Sequence, residues 1–132
     1  MARFLTWKGC HFFLPPRWYK LHLKLQWLGW QISLDEACLY DHGTRDNLDW
    51  NKLPGFTYHL FHAHLNSWML GWRIAQDGSP AFELAPYFHI DGRRDIFAKE
   101  YLARVRPNER FLWWCAPDYD RKIYRTFLKV RG

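Results

Sequence analysis

The sequence predicts an all-β protein: a single antiparallel β-sandwich or closed β-barrel of about seven or eight strands, with little or no helix. Three observations lead there. Aromatic residues make up 20% of the 132 residues, with 9 Trp, 10 Phe and 7 Tyr, while Val occurs only at 105 and 130. Much of the core must therefore be built from rings, which pleated strands accommodate well. The dominant hydrophobic period is two, the period of a strand with one buried face. Turn residues recur at intervals of about ten residues, the spacing expected of a sandwich or barrel.

Residues 18–29 alternate cleanly, with Tyr19, Leu21, Leu23, Leu25 and Trp27 on one side and Lys20, His22, Lys24 and Gln26 on the other. The apolar positions then move to Ile32 and Leu34, a change of parity that predicts a bulge at Gly29. Residues 39–55 carry Asp41, Gly43, Asp46, Asn47, Asp49 and the Pro54-Gly55 pair, and read as one long surface loop. Residues 56–75 read as a central hairpin turning near Leu65–Ser67, or as one long bent strand. Asp77-Gly78 marks a hairpin turn within 76–80, and 81–90 answers as the partner strand. Asp91-Gly92 is the next turn. Residues 96–106 fit helical and alternating spacing alike and are read as a strand. Pro107-Asn108-Glu109 is a turn, and 110–115 and 122–130 are two final strands joined by 116–120. Tyr124, Thr126, Leu128 and Val130 share one face of the last.

The length suits one domain spanning 1–132, large enough to fold without a disulfide framework. Disordered, collagen-like and coiled-coil classes are excluded, because each needs a composition poorer in large apolar side chains or richer in Glu, Lys and Ala. Cys10, Cys38 and Cys115 are odd in number and widely spaced, which fits reduced thiols rather than a scaffold or a CxxC metal site. Lys8, His11 and Pro15-Pro16 interrupt the apolar N-terminus, so no signal peptide is expected. No window reaches the roughly 18 apolar residues of a membrane span. The expectation is a soluble cytoplasmic protein with no membrane partner.

Net charge is +6 but segregated. Residues 1–30 hold five cations and no anion; 31–51 hold five anions and one cation; 93–132 hold eleven cations and five anions. Basic ends flanking an acidic stretch favour an anionic partner.

Residues of chemical interest concentrate between 56 and 94. On a regular strand Tyr58, His62, His64, Asn66, Trp68 and Trp72 share one face. His62 and His64 could converge on a metal ion, with His89, Glu83 or Asp91 as a third ligand. No carboxylate stands at a diagnostic spacing, so neither a metal nor a cofactor is expected, and sheet-face hydrogen bonding accounts for these histidines. Nucleophile elbows and phosphate-cradling glycine motifs do not occur. No catalytic residue can be named, and a binding protein is expected rather than an enzyme. The set Tyr58, His62, His64, Asn66, Trp68, Trp72, Arg73, Tyr87, His89, Arg93 and Arg94 combines planar rings, which stack on bases or sugars, with guanidinium forks that match phosphate.

The segment HLNSWMLGWR, followed by FELAPYFHIDGRR, resembles a pattern seen in small bacterial proteins of unknown function, over roughly residues 48–94. The resemblance implies a compact all-β fold and brings no activity with it.

The expected function is binding of a small anionic, ring-containing ligand, such as a nucleotide or nucleotide messenger, in an aromatic and Arg/His-lined cavity. The runner-up is single-stranded nucleic acid on a basic face, which needs exposed aromatics instead of a closed pocket. A His-metal enzyme stands third. A structural protein that self-associates into a homo-oligomer through aromatic surface is the plainest alternative.

Overall fold

A computed structural model describes residues 25–41, 43, 48–57, 65–94, 101–118, 120–121 and 123–130. They form two curled antiparallel sheets, together a half-barrel, which bears out the all-β antiparallel class that the alternation predicts. Helical structure among them is confined to short 3-10 turns, at Glu36–Cys38 and at Leu48.

The first sheet has three strands in the order β1-β8-β9: β1 is Leu28–Ser33, β8 Arg110–Asp118 and β9 Ile123–Val130. The second is centred on a long hairpin, β4 (Ser67–Ile74) and β5 (Phe82–Ile90). Short strands flank it. On one side β2 (Asn51–Lys52) and β3 (Phe56–Thr57) pair with β4; on the other β6 (Arg93–Arg94) and β7 (Ala103–Val105) pair with β5.

The hairpin turns where its sequence says it should. Gly78 takes φ +78°, open to glycine without a Cβ clash, and Asp77 Oδ1 accepts hydrogen bonds from the Ser79 amide (3.1 Å) and hydroxyl (2.6 Å). Asp91-Gly92 likewise joins β5 to β6, with both residues at positive φ. Asn108, at φ 64°, turns the chain into β8, and its amide donates to Leu34 O at 2.6 Å, tying that turn to the end of β1.

The core lies between the sheets. Trp68, Leu70, Trp72, Phe82 and Leu84 face Phe111, Trp113 and Cys115, with Trp30, Ile32, Leu128 and Val130 packed around them. The rings form a run across the interface. Trp68 stacks on Trp113 at 3.8 Å between centroids; Trp113 continues to Trp30 at 5.5 Å, and Trp68 to Phe56 at 5.8 Å. Removing a fully buried ring such as Trp113 would cost about 3–5 kcal/mol, the transfer of its apolar area plus the cavity left behind.

Five sequence expectations need correction. Gly29 is not a bulge: β1 pairs with β8 without interruption from Leu28↔Cys115 to Ser33↔Arg110. The glycine serves a close approach, since a Cβ there would stand 2.7 Å from Trp114 Cβ. The stretch 39–55 contains the two-residue strand β2, too short to leave a period. β8 continues through Ala116 and Pro117 to Asp118, because Pro117 opposite Tyr124 does not interrupt the pairing, and the connection to β9 is correspondingly short. Within 96–106 the described strand is β7 alone; 95–100 lie outside the described residues. For 56–75, β3 pairs antiparallel with β4, Phe56 opposite Trp68 and Thr57 opposite Ser67, as a hairpin requires, but the turn expected near Leu65–Ser67 is misplaced because Ser67 already stands in β4; 58–64 lie outside the described residues. The strand expected over 18–24 also lies outside the described residues.

Candidate functional site

The β4–β5 register divides the expected site residues between two faces. Trp68 and Trp72 pair with Phe88 and Leu84 and point into the core, where both are buried. Arg73, Tyr87 and His89, of opposite parity, share the other face with Ser67, Met69, Glu83 and Ala85. Asn66 sits in the turn before β4, where its Oδ1 accepts from the Asp91 amide at 3.1 Å and its carbonyl from Thr57 Oγ1 at 3.0 Å. Arg93 pairs with Ile90 and Arg94 with His89, so Arg94 is the one that shares the Tyr87 face. Tyr58, His62 and His64 lie outside the described residues.

One end of that face is internally neutralised. Glu83, 2% exposed, receives Arg73 on Oε2 (Nε 2.9 Å, Nη2 2.9 Å) and Arg104 Nη2 on Oε1 at 3.0 Å. Arg104 also reaches Asp77, and the Arg73 guanidinium lies over Trp50 at 4.5 Å. Hydrogen bonds from Ser79 and then from Arg104 hold the Asp77 carboxyl well below the usual carboxylate range. Arg73, expected to bind a ligand, is thus spoken for by a buried carboxylate and a ring.

The other end differs. Lys52 Nζ from β2 and the Arg94 guanidinium from β6 lie 5.3 and 5.7 Å from the centre of the Tyr87 ring. His89 meets the same ring edge-on at 5.4 Å, and its Nδ1 is 3.0 Å from Ser67 Oγ. Tyr87 and Ser67 are buried, so this is no exposed nucleophile and base pair.

Two concavities stand elsewhere. One, of about 470 Å³, is lined by Ser79–Ala81, Arg104–Arg106 and Glu109; the other, of about 580 Å³, by Glu36, Leu39, Pro80, Arg106 and Pro107. Neither is lined by any of the expected site residues that the structure describes. Among the described residues no cluster of three His, Cys, Asp or Glu could hold a metal ion. Cys38 and Cys115 are free thiols; burial first, with Asp35 adding to it, pushes Cys38 up to about 11, and burial alone takes Cys115 to about 12. No helix among the described residues is long and apolar enough to cross a membrane.

Exposed aromatics gather on the first sheet instead. Its outward residues are Gly29, Gln31 and Ser33 on β1, Arg110, Leu112, Trp114, Ala116 and Asp118 on β8, and Ile123, Arg125, Phe127 and Lys129 on β9. Trp114 and Phe127, directly opposite in the ladder, stack at 5.1 Å with planes 11° apart. Phe127 is 42% exposed, and Trp27, just before β1, is 67% exposed. Arg125 and Lys129 bracket Phe127 along the strand, each about 7 Å away at the strand rise. Arg110 stands at the end of β8, and Asp118, which binds Arg125 at 2.8 Å and Arg121 at 4.0 Å, is the only outward carboxylate of these strands. This set escaped the sequence reading, although a signal was there: the alternate positions of 123–130 are Ile, Arg, Phe and Lys.

Comparison with known proteins gives no match to any family model, any curated protein or any solved structure.

Proposed function

We propose that the chain is a binding protein for an anionic, ring-containing partner, and that single-stranded nucleic acid on the outer face of the β1-β8-β9 sheet is the partner the geometry fits best. One observation carries the reading. A half-exposed Phe127, held parallel to Trp114, stands between Arg125 and Lys129 on an open sheet face. Open rings offer π faces to bases of any sequence, while Lys129, and Arg125 from its exposed ion pair with Asp118, flank the path of a phosphate backbone; together they are the working parts of a single-strand platform. Gly29 supports the reading from the other side. It is the residue across from Trp114 on β1, so no side chain from that strand stands beside the indole. A duplex, with its bases already stacked inside, gains nothing from these rings.

The proposal moves away from a closed cavity at Trp68, Trp72 and Arg73, because those rings fill the core and that guanidinium already binds Glu83. Fluorescence anisotropy with a labelled oligothymidylate of about 12 nucleotides, inside the 4–16 range of small β-barrel sites, tests it. Single strands should bind with an affinity that falls as salt rises, and a duplex of equal length should bind more weakly. No binding at low salt, or duplex binding as tight as single-strand binding, would overturn the proposal.

A further inference from the structure

The opposite sheet carries a second concentration of positive charge, independent of the β8–β9 face. On the outward side of β4–β5 the charges fall into two groups. At the Asp77 end, Arg73 and Arg104 are matched by Glu83 and Asp77. At the Tyr87 end, Lys52 and Arg94 come in from the two flanking strands, and among the described residues neither forms an ion pair. Asp91, in the adjoining turn, binds neither of them.

Two like charges gathered around one ring repel each other, and no carboxylate among the described residues relieves the repulsion. What holds them is the Tyr87 ring, whose negative face attracts each cation within about 6 Å of its centre. That ring is fixed in its turn, buried beside Trp50 and Ala85 and braced edge-on by His89, which Ser67 anchors through Nδ1. Across from Lys52 stands Gly71, buried under the neighbouring rings: a Cβ there would stand 3.2 Å from Trp50 Cε3 and 3.3 Å from Tyr87 Cβ, so the missing side chain lets Trp50 and Tyr87 pack down on the sheet and fixes the ring further. A fixed ring that gathers two exposed cations, neither matched by a carboxylate among the described residues, describes a receptor for a compact polyanion.

We infer that Lys52 and Arg94 form a site for a phosphate-bearing small molecule, with Tyr87 as the ring that holds the two cations in place. A diphosphate suits it better than a carboxylate, since it carries several oxygens and enough charge to engage an ammonium and a guanidinium at once. Phosphate without a base and the diphosphate of a nucleotide share this chemistry, and the test separates them.

Isothermal titration with inorganic pyrophosphate, ADP and acetate, at constant ionic strength, tests the inference on wild type, Lys52→Ala, Arg94→Ala and Lys129→Ala. Pyrophosphate or ADP should bind wild type and acetate should not. Equal affinities for the first two would locate recognition in the diphosphate alone, and tighter ADP binding would add a contact to the nucleoside; either outcome supports the site. Lys52→Ala and Arg94→Ala should each weaken binding at least tenfold, whereas Lys129→Ala, on the other sheet, should not. Both cations are exposed, so unchanged melting curves should confirm that the variants fold. Failure of both phosphate compounds to bind at millimolar concentration, or binding indifferent to both Lys52→Ala and Arg94→Ala, would overturn the inference. Neither result bears on oligonucleotide binding by the β8–β9 face.

Discussion

Arg73→Ala should destabilise the protein by about 3 kcal/mol while leaving oligonucleotide binding intact. The carboxylate of Glu83 is 2% exposed and is held by three short contacts, two of them from Arg73 to Oε2 and one from Arg104 to Oε1. Removing one partner of a buried pair costs about 3–5 kcal/mol, because the charge left behind is desolvated and unmatched. Arg104 stays in place, which puts the loss near the lower end of that range. Loss of the stack on Trp50 adds roughly 0.5–1 kcal/mol. Urea unfolding is the assay: with a slope of about 1–3 kcal/mol per molar, the midpoint should fall by about 1–3 M. Glu83→Gln and the double variant complete a thermodynamic cycle, whose coupling should exceed about 1 kcal/mol for groups in direct contact. Replacing both residues together, Arg73→Met with Glu83→Leu, should recover much of the loss, since no charge is then stranded. A cost below about 1 kcal/mol for Arg73→Ala, or a coupling near zero, would refute the reasoning, and the guanidinium would then be free for another role.

Gly29→Ala should lower stability by about 1–3 kcal/mol, because the new Cβ meets Trp114 Cβ at 2.7 Å and the Trp113 carbonyl at 3.3 Å, atoms that cannot swing aside; a Tm within a degree of wild type would contradict the close packing of β1 on β8. Cys115 and Cys38 should resist a thiolate-directed alkylating reagent at pH 8 in the folded protein and react on unfolding. Their folded pKa values lie above the ordinary thiol value of 9.0, so their contribution is intact below about pH 9 and is lost as pH rises through about 11 and then 12, where the unfolded chain has already released its protons. Stability measured by denaturant titration should therefore fall over that window, and a rise would contradict the assignment.

The fold was legible wherever the strands have one wet face. β9 announces itself by alternation, whereas the β4–β5 hairpin announces itself by the Asp77-Gly78 pair and the Asp91-Gly92 and Asn108 turns by their tolerance of positive φ. Short strands were not legible: β2 spans Asn51–Lys52 and β7 spans Ala103–Val105, too few residues to carry a period against loop-like neighbours. The site was legible in part. Period two correctly places Trp68 and Trp72 on one face and Arg73 on the other, but it does not say which face is wet. Both faces of β4 and β5 are largely buried, so hydrophobicity gave no contrast there. Pairing Arg73 with Glu83 needed the register Arg73↔Glu83, and bringing Lys52 to Tyr87 needed β2, which the sequence concealed. The Trp114–Phe127 stack likewise depends on register between two strands.

The central claim is that rings and cations on the β8–β9 face divide the work of holding a single strand, and the salt dependence of oligonucleotide affinity in two variants tests it most directly. Phe127→Ala should weaken binding about 5- to 150-fold, the equivalent of the 1–3 kcal/mol that one base stack contributes, with the slope of log affinity against log salt unchanged. Lys129→Ala should make that slope shallower by about 0.7, the share of one phosphate contact on a single strand. If Phe127→Ala leaves affinity unchanged, or if both variants alter only the slope, the aromatic face is not a stacking platform and the claim fails.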